Sequence, residues 1–518
     1  AMTDRKKVLI RAVNLKQYFP VGKGRYCKAN DGISIDIIEG ETFGLVGESG
    51  CGKSTFGRTL LQLNKQTAGK TLYYGQTLEE VAPHYVGKTL NELDKQIREY
   101  HQFSEKVEQL SKTYEQMADD HSEKLSTLNE LNLMKAELEG KYYDIVSVLG
   151  GFYTVKDRTH AVKLLKEEYE ICAQIRGMLE KIELADAKVR DAEFDAENLD
   201  GIKKKNAQTR LHREQAKLNS LIEKRSALQK QLDAKRAKIE EAKAPYANDA
   251  DFQAAEAYKD GGIDLARLEY NEMRLLRSDL QMIFQDPYSS LNPRMTVGNI
   301  IGNGMKTHHM FVKENDRMQA EVLRVMEQCG LQPYFLHRFP HQFSGGQRQR
   351  IGIARSLAVQ PKFVVCDEAV SALDVSIQSQ IINLLQDLKE NSKLTYLFIT
   401  HDLSVVKYIS DRIGVMYLGN MVELAPSQEI FDHPMHPYTQ ALIAAIPTVG
   451  KRDGELHVLE GDIPSPVNPP KGCKFHTRCD YCTEICRQVV PMWEEVSPNH
   501  FAACHNMYQI QQAKKTEN

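Results

Sequence analysis

The 518-residue chain is nearly balanced in charge, a formal −3 at pH 7, so it lacks the basic surplus that marks a general nucleic-acid binder. It has no run approaching the ~18 uninterrupted apolar residues of a membrane span. Its first residues, AMTDRKKVLIRAVNL, hold no apolar stretch of the ~7–15 residues that a secretory signal needs. These absences point to a soluble, cytoplasmic chain whose membrane role, if any, comes through a partner. A fourth absence is local. Between Pro83 and Pro245 lie 161 residues without a proline, the residue that most often ends a helix. The hydrophobic fraction, 42%, is a little low for a globular protein, which hints at a long solvated element. The length suits two to four domains.

What is present divides the chain into three textures. Residues 1–78 mix β-rich runs such as SIDII and FGLVG with turn glycines. From 81 to 270 there are 31 Lys/Arg and 36 Asp/Glu, and apolar residues recur at three- and four-residue steps. One set is Leu90, Leu93, Ile97, Tyr100, Phe103, Val107, Leu110, Tyr114 and Met117; another is Leu211, Leu218, Leu221, Leu228, Leu232 and Ile239. This heptad-like spacing predicts a coiled coil of about three helices, divided near Gly150-Gly151 and DAEFDAENLDG, the first about 60 residues and ~90 Å long. An α/β texture returns from about 271 to 445, and the remainder is rich in proline and cysteine, with a tail, QQAKKTEN, expected to be disordered. The expected domains are 1–78 and 269–445, two parts of one nucleotide-binding domain, with a helical insertion at 79–268 and a small Cys-rich domain at 446–518.

The chemistry is concentrated in short motifs. GLVGESGCGKST follows an apolar strand and contains Gly47-x4-Gly52-Lys53-Ser54, a full Walker A pattern. Backbone N–H groups of Gly47, Ser49, Gly50, Cys51 and Gly52 would surround phosphate, Lys53 would place its charge there, and Ser54 would ligate Mg²⁺, with Thr55 opening the next helix. KFVVCDEAVSALD ends a hydrophobic strand in Asp367-Glu368, one carboxylate suited to the Mg²⁺ shell and the other to polarising an attacking water. FSGGQRQRIGIARSLA places Ser344, Gly345, Gly346 and Gln347 at a helix start, a second anion site. One subunit has no need of two γ-phosphate sites, so this one reads as closing over ATP held by another subunit.

With these residues in hand the chain resembles the nucleotide-binding subunits of ABC proteins. The resemblance implies a Q-loop at Gln285, a D-loop at Ser371–Asp374, a switch histidine at His401, and Phe19 or Tyr18 against adenine; Gln285, His401 and Glu368 would form the catalytic set, and Gln285 would join Ser54 and Asp367 around Mg²⁺. Phe343 replaces the usual leucine of the signature and Ala369 the usual proline after Asp-Glu. QDPYSSLNPRMTVGNII, DEAVSALDVSIQSQ and HPMHPYTQALIAAIP resemble the oligopeptide/dipeptide importer ATPases, a group that includes nickel importers, and the wording is most similar to their F-type subunits. That implies a peripheral protein on the cytoplasmic face of a bacterial membrane. It would hydrolyse ATP beside a D-type ATPase subunit, beneath two permease subunits fed by an extracytoplasmic peptide-binding protein.

Five cysteines fall between Cys473 and Cys504, and Cys473-x5-Cys479-x6-Cys486-x17-Cys504 supplies four thiolates. In a chain without an export signal such clusters more often bind metal than form disulfides. Four thiolates suit a [4Fe–4S] cluster or Zn²⁺; the Cys479-x2-Cys482 knuckle keeps zinc open, while the family resemblance favours iron–sulfur. Cys27, Cys172, Cys329 and Cys366 read as ordinary thiols, and Cys51 as a small filler.

Lys53 and Gln285 lie 232 positions apart, where the resemblance implies a much shorter segment. An ABC ATPase of the SMC type, with an arm for nucleic acid or a partner complex, is the rival reading. Against it stand an arm that precedes the Q-loop, its modest length, and the transporter-like tail. Lys203 to Lys238 carries 12 Lys/Arg against three Asp/Glu, which either pair with acidic neighbours or dock on lipid headgroups, a regulator or the partner ATPase.

Overall fold

A computed structural model describes residues 7–22, 24–117, 124–312, 314–446 and 461–510. The tail QQAKKTEN lies outside the described residues. The strands are β1 (Val8–Gly22), β2 (Arg25–Ile38), β3 (Thr42–Val46), β4 (Ala68–Tyr73), β5 (Ile263–Asp264), β6 (Leu280–Ile283), β7 (Phe363–Asp367), β8 (Thr395–Ile399), β9 (Arg412–Tyr417), β10 (Asn420–Pro426), β11 (Glu494–Ser497) and β12 (His500–Ala502). They fall in two compact units, the first made of residues 1–71, 279–300 and 325–518, the second of 72–278 and 301–324.

The first unit is α/β. Its large sheet runs β11-β12-β10-β9-β3-β8-β7-β6, and the pairs from β9 to β6 are parallel. TFGLV, FVVCD and TYLFI are buried at every position, as strands covered on both faces must be. The order matters for function, because the carboxyl ends of neighbouring parallel strands share one edge. The Walker A loop leaves β3, Asp367-Glu368 closes β7, Gln285 follows β6, and His401 follows β8. The long antiparallel pair β1–β2 brings Phe19 opposite Cys27.

The Cys-rich segment was expected as a domain of its own. It instead lies in the first unit, where β12 pairs with β10 through Glu423↔Ala502 and Leu424↔Phe501. Buried Glu423 closes this junction, accepting hydrogen bonds from the Met435 and His436 amides and lying 2.8 Å from His500 Nε2.

The second unit is mainly helical. Helices Thr159–Asn198 and Gly201–Lys243 pack antiparallel, with Arg210 paired to Asp195 near the connection and Arg236 to Glu168 further along. All six apolar positions of the second sequence set contribute to its apolar clusters, as in Ile175 and Leu232 against Leu228, and Leu218 against Val189 and Leu211. The expected single 60-residue first helix does not form. Helices His84–Asn91, Leu93–Gln116 and Lys124–Leu149 stand in its place, and Tyr100 meets Tyr142 at 5.9 Å, so the apolar stripe is satisfied by a neighbouring helix of the same chain. Residues 301–324 belong to this unit through Arg317, which bonds Asp191 at 2.7 Å and stacks on Phe311. No described helix is long and apolar enough to cross a membrane.

Candidate nucleotide site

The P-loop is shaped by its glycines. Gly47, Gly50 and Gly52 have positive φ. A Cβ on Gly52 would sit 2.1 Å from the Ala29 carbonyl oxygen, so that turn admits no side chain. Asn30 Nδ2 donates to the Gly52 carbonyl and fixes the loop from the β2 side. Lys53 opens the helix Lys53–Leu60 and is almost fully buried, its Nζ donating to the carbonyls of Gly47 (2.7 Å) and Glu48 (3.0 Å). Burial beside the loop raises the Cys51 thiol.

Phe19, Ser49, Gly50, Cys51, Gly52, Lys53, Ser54, Thr55, Gln285 and Glu368 line one cavity of about 360 Å³. Phe19 faces this cavity, whereas Tyr18 is buried and donates its hydroxyl hydrogen bond to Asp31.

Three of the singled-out side chains meet at Glu368. Gln285 Nε2 donates to Glu368 Oε2 at 2.7 Å, and His401 Nδ1 lies 3.5 Å from Oε1. Glu368 has φ +46°, unusual for a residue with a side chain. The turn is held by its amide on Ile399 O and by Ser371, whose amide and hydroxyl both donate to the Glu368 carbonyl. Asp367 is fully buried; its Oδ2 lies 3.4 Å from Arg58, while Oδ1 has no hydrogen-bond partner among the described residues. A buried carboxylate oxygen without a donor is what a cation site requires, so this residue fits a divalent ion.

Ser344 caps the helix Gly345–Leu357 in a reciprocal box with Gln347. A Cβ on Gly346 would meet Ile377 at 2.6 Å, so the second signature glycine is needed for packing as well. None of Ser344, Gly345, Gly346 and Gln347 lines the Walker A cavity.

The Cys473 amide donates to the Cys486 carbonyl at 2.8 Å, and the Cys482 amide to the Cys479 carbonyl at 3.2 Å. Burial raises the Cys473 thiol and pushes Cys479 to about 12 and Cys504 to about 11. Among the described residues no three Cys, His, Asp or Glu side chains converge closely enough to hold a metal ion. Cys486 Sγ instead lies 3.3 Å from Thr483 Oγ1 and 3.6 Å from Asn506 Nδ2, and the Cys482 thiol contacts Thr483 O.

The sequence reading missed part of the lining. Cys27, Lys28, Ala29, Leu418, Gly419 and Pro466 complete the cavity from three other segments. It also missed Tyr438, whose hydroxyl accepts from the Glu48 amide at 2.8 Å. Tyr438 lies in HPYTQAL, a stretch that sequence reasoning used only as a family mark.

With this geometry in view, the comparisons with known proteins are direct. A family model described as ABC transporter matches residues 30–194 and 251–371, and one described as Oligopeptide/dipeptide transporter, C-terminal region matches 422–486. The oligopeptide transport ATP-binding protein AppF of Bacillus subtilis is 52% identical over 250 residues, 47% of this chain and 75% of its own length. The chain belongs to the oligopeptide/dipeptide ABC transporter family. OppF of Salmonella typhimurium, also an oligopeptide transport ATP-binding protein, is 50% identical over 246 residues, covering 47% of this family member and 73% of OppF. Among solved structures, cbiO1 from Clostridium perfringens aligns over 83% of this chain and 92% of its own at 14% identity, with a TM-score of 0.42.

Proposed function

We propose that this ABC subunit hydrolyses ATP to power import of oligopeptides or dipeptides. The observation that carries the reading is Glu368 at the cavity of the Walker A loop, hydrogen-bonded by Gln285 and approached by His401 Nδ1 at 3.5 Å. Phe19 would stack on the base, the loop amides and Lys53 would take the phosphates, and Ser54, Gln285 and Asp367 would hold Mg²⁺, which would supply charge neutralisation. Glu368 orients the attacking water and accepts its proton, Gln285 keeps that carboxylate in place, and His401 reaches toward the γ-phosphoryl oxygens. Ser344, Gly345, Gly346 and Gln347 act on the ATP of a second ATPase subunit of the D-type, a reading supported by their absence from this chain's own cavity. Two permease subunits, an extracytoplasmic binding protein and a peripheral place at the cytoplasmic face of the membrane follow from the family's way of working. Residues 1–78 with 269–445 form the nucleotide-binding domain, 79–268 the insertion, and 446–518 the Cys-rich part. Glu368→Gln should cut ATP hydrolysis at least about 100-fold while nucleotide affinity stays within about twofold; hydrolysis at the unsubstituted rate would overturn the reading.

The finer proposal for Cys473, Cys479, Cys486 and Cys504 is a [4Fe–4S] cluster, with Zn²⁺ as the alternative; its support is the spacing of the four cysteines in the sequence and the family resemblance. Anaerobic purification followed by an absorption spectrum tests it: a band near about 400 nm speaks for iron, and bound zinc by elemental analysis without that band speaks against it.

A further inference from the structure

Seven residues of the C-terminal segment, Cys473 to Cys479, carry three anchors between two cysteines. Arg478 makes a two-pronged ion pair with Glu48 of the P-loop, NH1 to Oε2 at 2.7 Å and NH2 to Oε1 at 3.0 Å. Its side chain is 4% exposed, an unusual depth for an arginine, and its guanidinium lies over the Tyr417 ring. Phe475 packs against Tyr417 and Tyr438, with ring centroids 5.1 and 5.3 Å apart. Lys474 Nζ reaches Asp31 at 3.1 Å and the Leu418 carbonyl at 3.2 Å.

These anchors hold residues next to the cavity lining, Glu48 beside Ser49 and Leu418 in the lining itself. Glu48 is held at every polar group: its carboxylate by Arg478, its amide by Tyr438, and its carbonyl by Lys53 and the Cys51 amide. Asp31, fixed by Lys474, in turn receives the hydroxyl of Tyr18, the neighbour of cavity-lining Phe19. A two-pronged arginine–carboxylate pair fixes direction as well as distance, which a lysine or a lone hydrogen bond does not.

We infer that the stretch from Cys473 to Cys479 is a clip on the nucleotide cavity, with Arg478 a positioning residue that sets P-loop geometry through Glu48. It rests on the reading of Gly47–Ser54 as the nucleotide site. Arg478 does not line the cavity; it holds the residue whose carbonyl Lys53 shares, and so determines how well the loop is preformed for its ligand.

The test is titration of the full-length chain with a fluorescent ATP analogue, with steady-state ATPase kinetics alongside. Arg478→Ala should weaken analogue binding about tenfold and raise KM for ATP by a similar factor, with kcat changed less than about twofold. Arg478→Lys should fall between. The double variant Glu48→Ala/Arg478→Ala should bind no more weakly than either single one, since both remove the same pair. Unaltered affinity in folded Arg478→Ala, or losses that simply add in the double variant, would overturn the inference. If Arg478→Ala does not fold, Arg478→Lys and Glu48→Gln decide, and wild-type affinity in both overturns it. An unsubstituted chain that binds no analogue would sink the nucleotide-site reading itself, a separate outcome.

Discussion

Gly52 shows how little freedom the phosphate loop has. Its φ of +104° and the 2.1 Å approach of the Ala29 carbonyl to a would-be Cβ compound each other. Gly52→Ala should destabilise the fold by about 2 kcal/mol or more and abolish nucleotide binding, measured by denaturant titration and analogue fluorescence. His436 offers a different single-residue test. It is buried, and burial, partly offset by Glu423, pulls its imidazole down to about 4 from 6.5. The fold therefore holds it neutral, and between pH 6.5 and about 4 only the unfolded chain takes up that proton. Stability should fall with acidification across that window by about 1.4 kcal/mol per pH unit from this residue alone. His436 Nδ1 also accepts from the Tyr438 amide as a helix cap, a task asparagine shares, so His436→Asn should keep the cap and flatten the slope. Equal slopes in denaturation midpoints of the two proteins from pH 6.5 to 4.5 would refute this.

Among the elements, the paired helices Thr159–Asn198 and Gly201–Lys243 rest on small apolar clusters rather than one continuous seam. Leu232 is fully buried in one of them, against Cys172 and Ile175. Leu232→Ala should cost about 3 kcal/mol in the thermal unfolding of the helical unit and leave ATP hydrolysis unchanged. The second apolar set was legible because period and burial coincide from Leu211 to Ile239. The first was misread in length, because a stripe such as Leu93, Ile97 and Tyr100 records that a face is covered and not what covers it. The partner, Lys124–Leu149, follows in the same proline-free run, and no breaker residue announced the reversal. The basic stretch was legible only in part. Arg210, Arg213, Lys217, Lys235 and Arg236 have acidic partners, whereas Lys203, Lys204, Lys205, Lys224, Arg225, Lys230 and Lys238 have no ion pair among the described residues. Those seven cations are what remains for lipid headgroups or a regulator.

At the scale of the whole molecule, the α/β unit could be read from motif order, since the Walker A loop, Gln285, Asp367-Glu368 and His401 each lie at the end of a parallel strand. The clip could not, because Glu48 and Arg478 are 430 positions apart and nothing near either one names the other. The insertion's role is open to a direct experiment. Leu72 and Tyr73 pair antiparallel with Asp264 and Ile263, so residues 75–261 can be replaced by an Asn-Gly turn between adjacent strands. If the insertion docks or regulates, its removal should leave ATPase activity within about twofold and lower peptide uptake in cells at least about fivefold; unchanged uptake would mean that it is dispensable. Arg317 would lose Asp191 in this variant, which links the insertion to the segment after the Q-loop.

The pairing of β4 with β5 has a consequence for synthesis. At about 5–20 residues per second, the ribosome spends roughly 10–40 s on the residues between β4 and β6. During that interval β3, fully buried in the finished sheet, exists without β8 and β9, its two neighbours, which are translated later still. A newborn chain therefore exposes a sticky apolar strand for tens of seconds, and early pairing of β4 with β5 would hold the chain segments before and after the insertion near each other until those partners arrive.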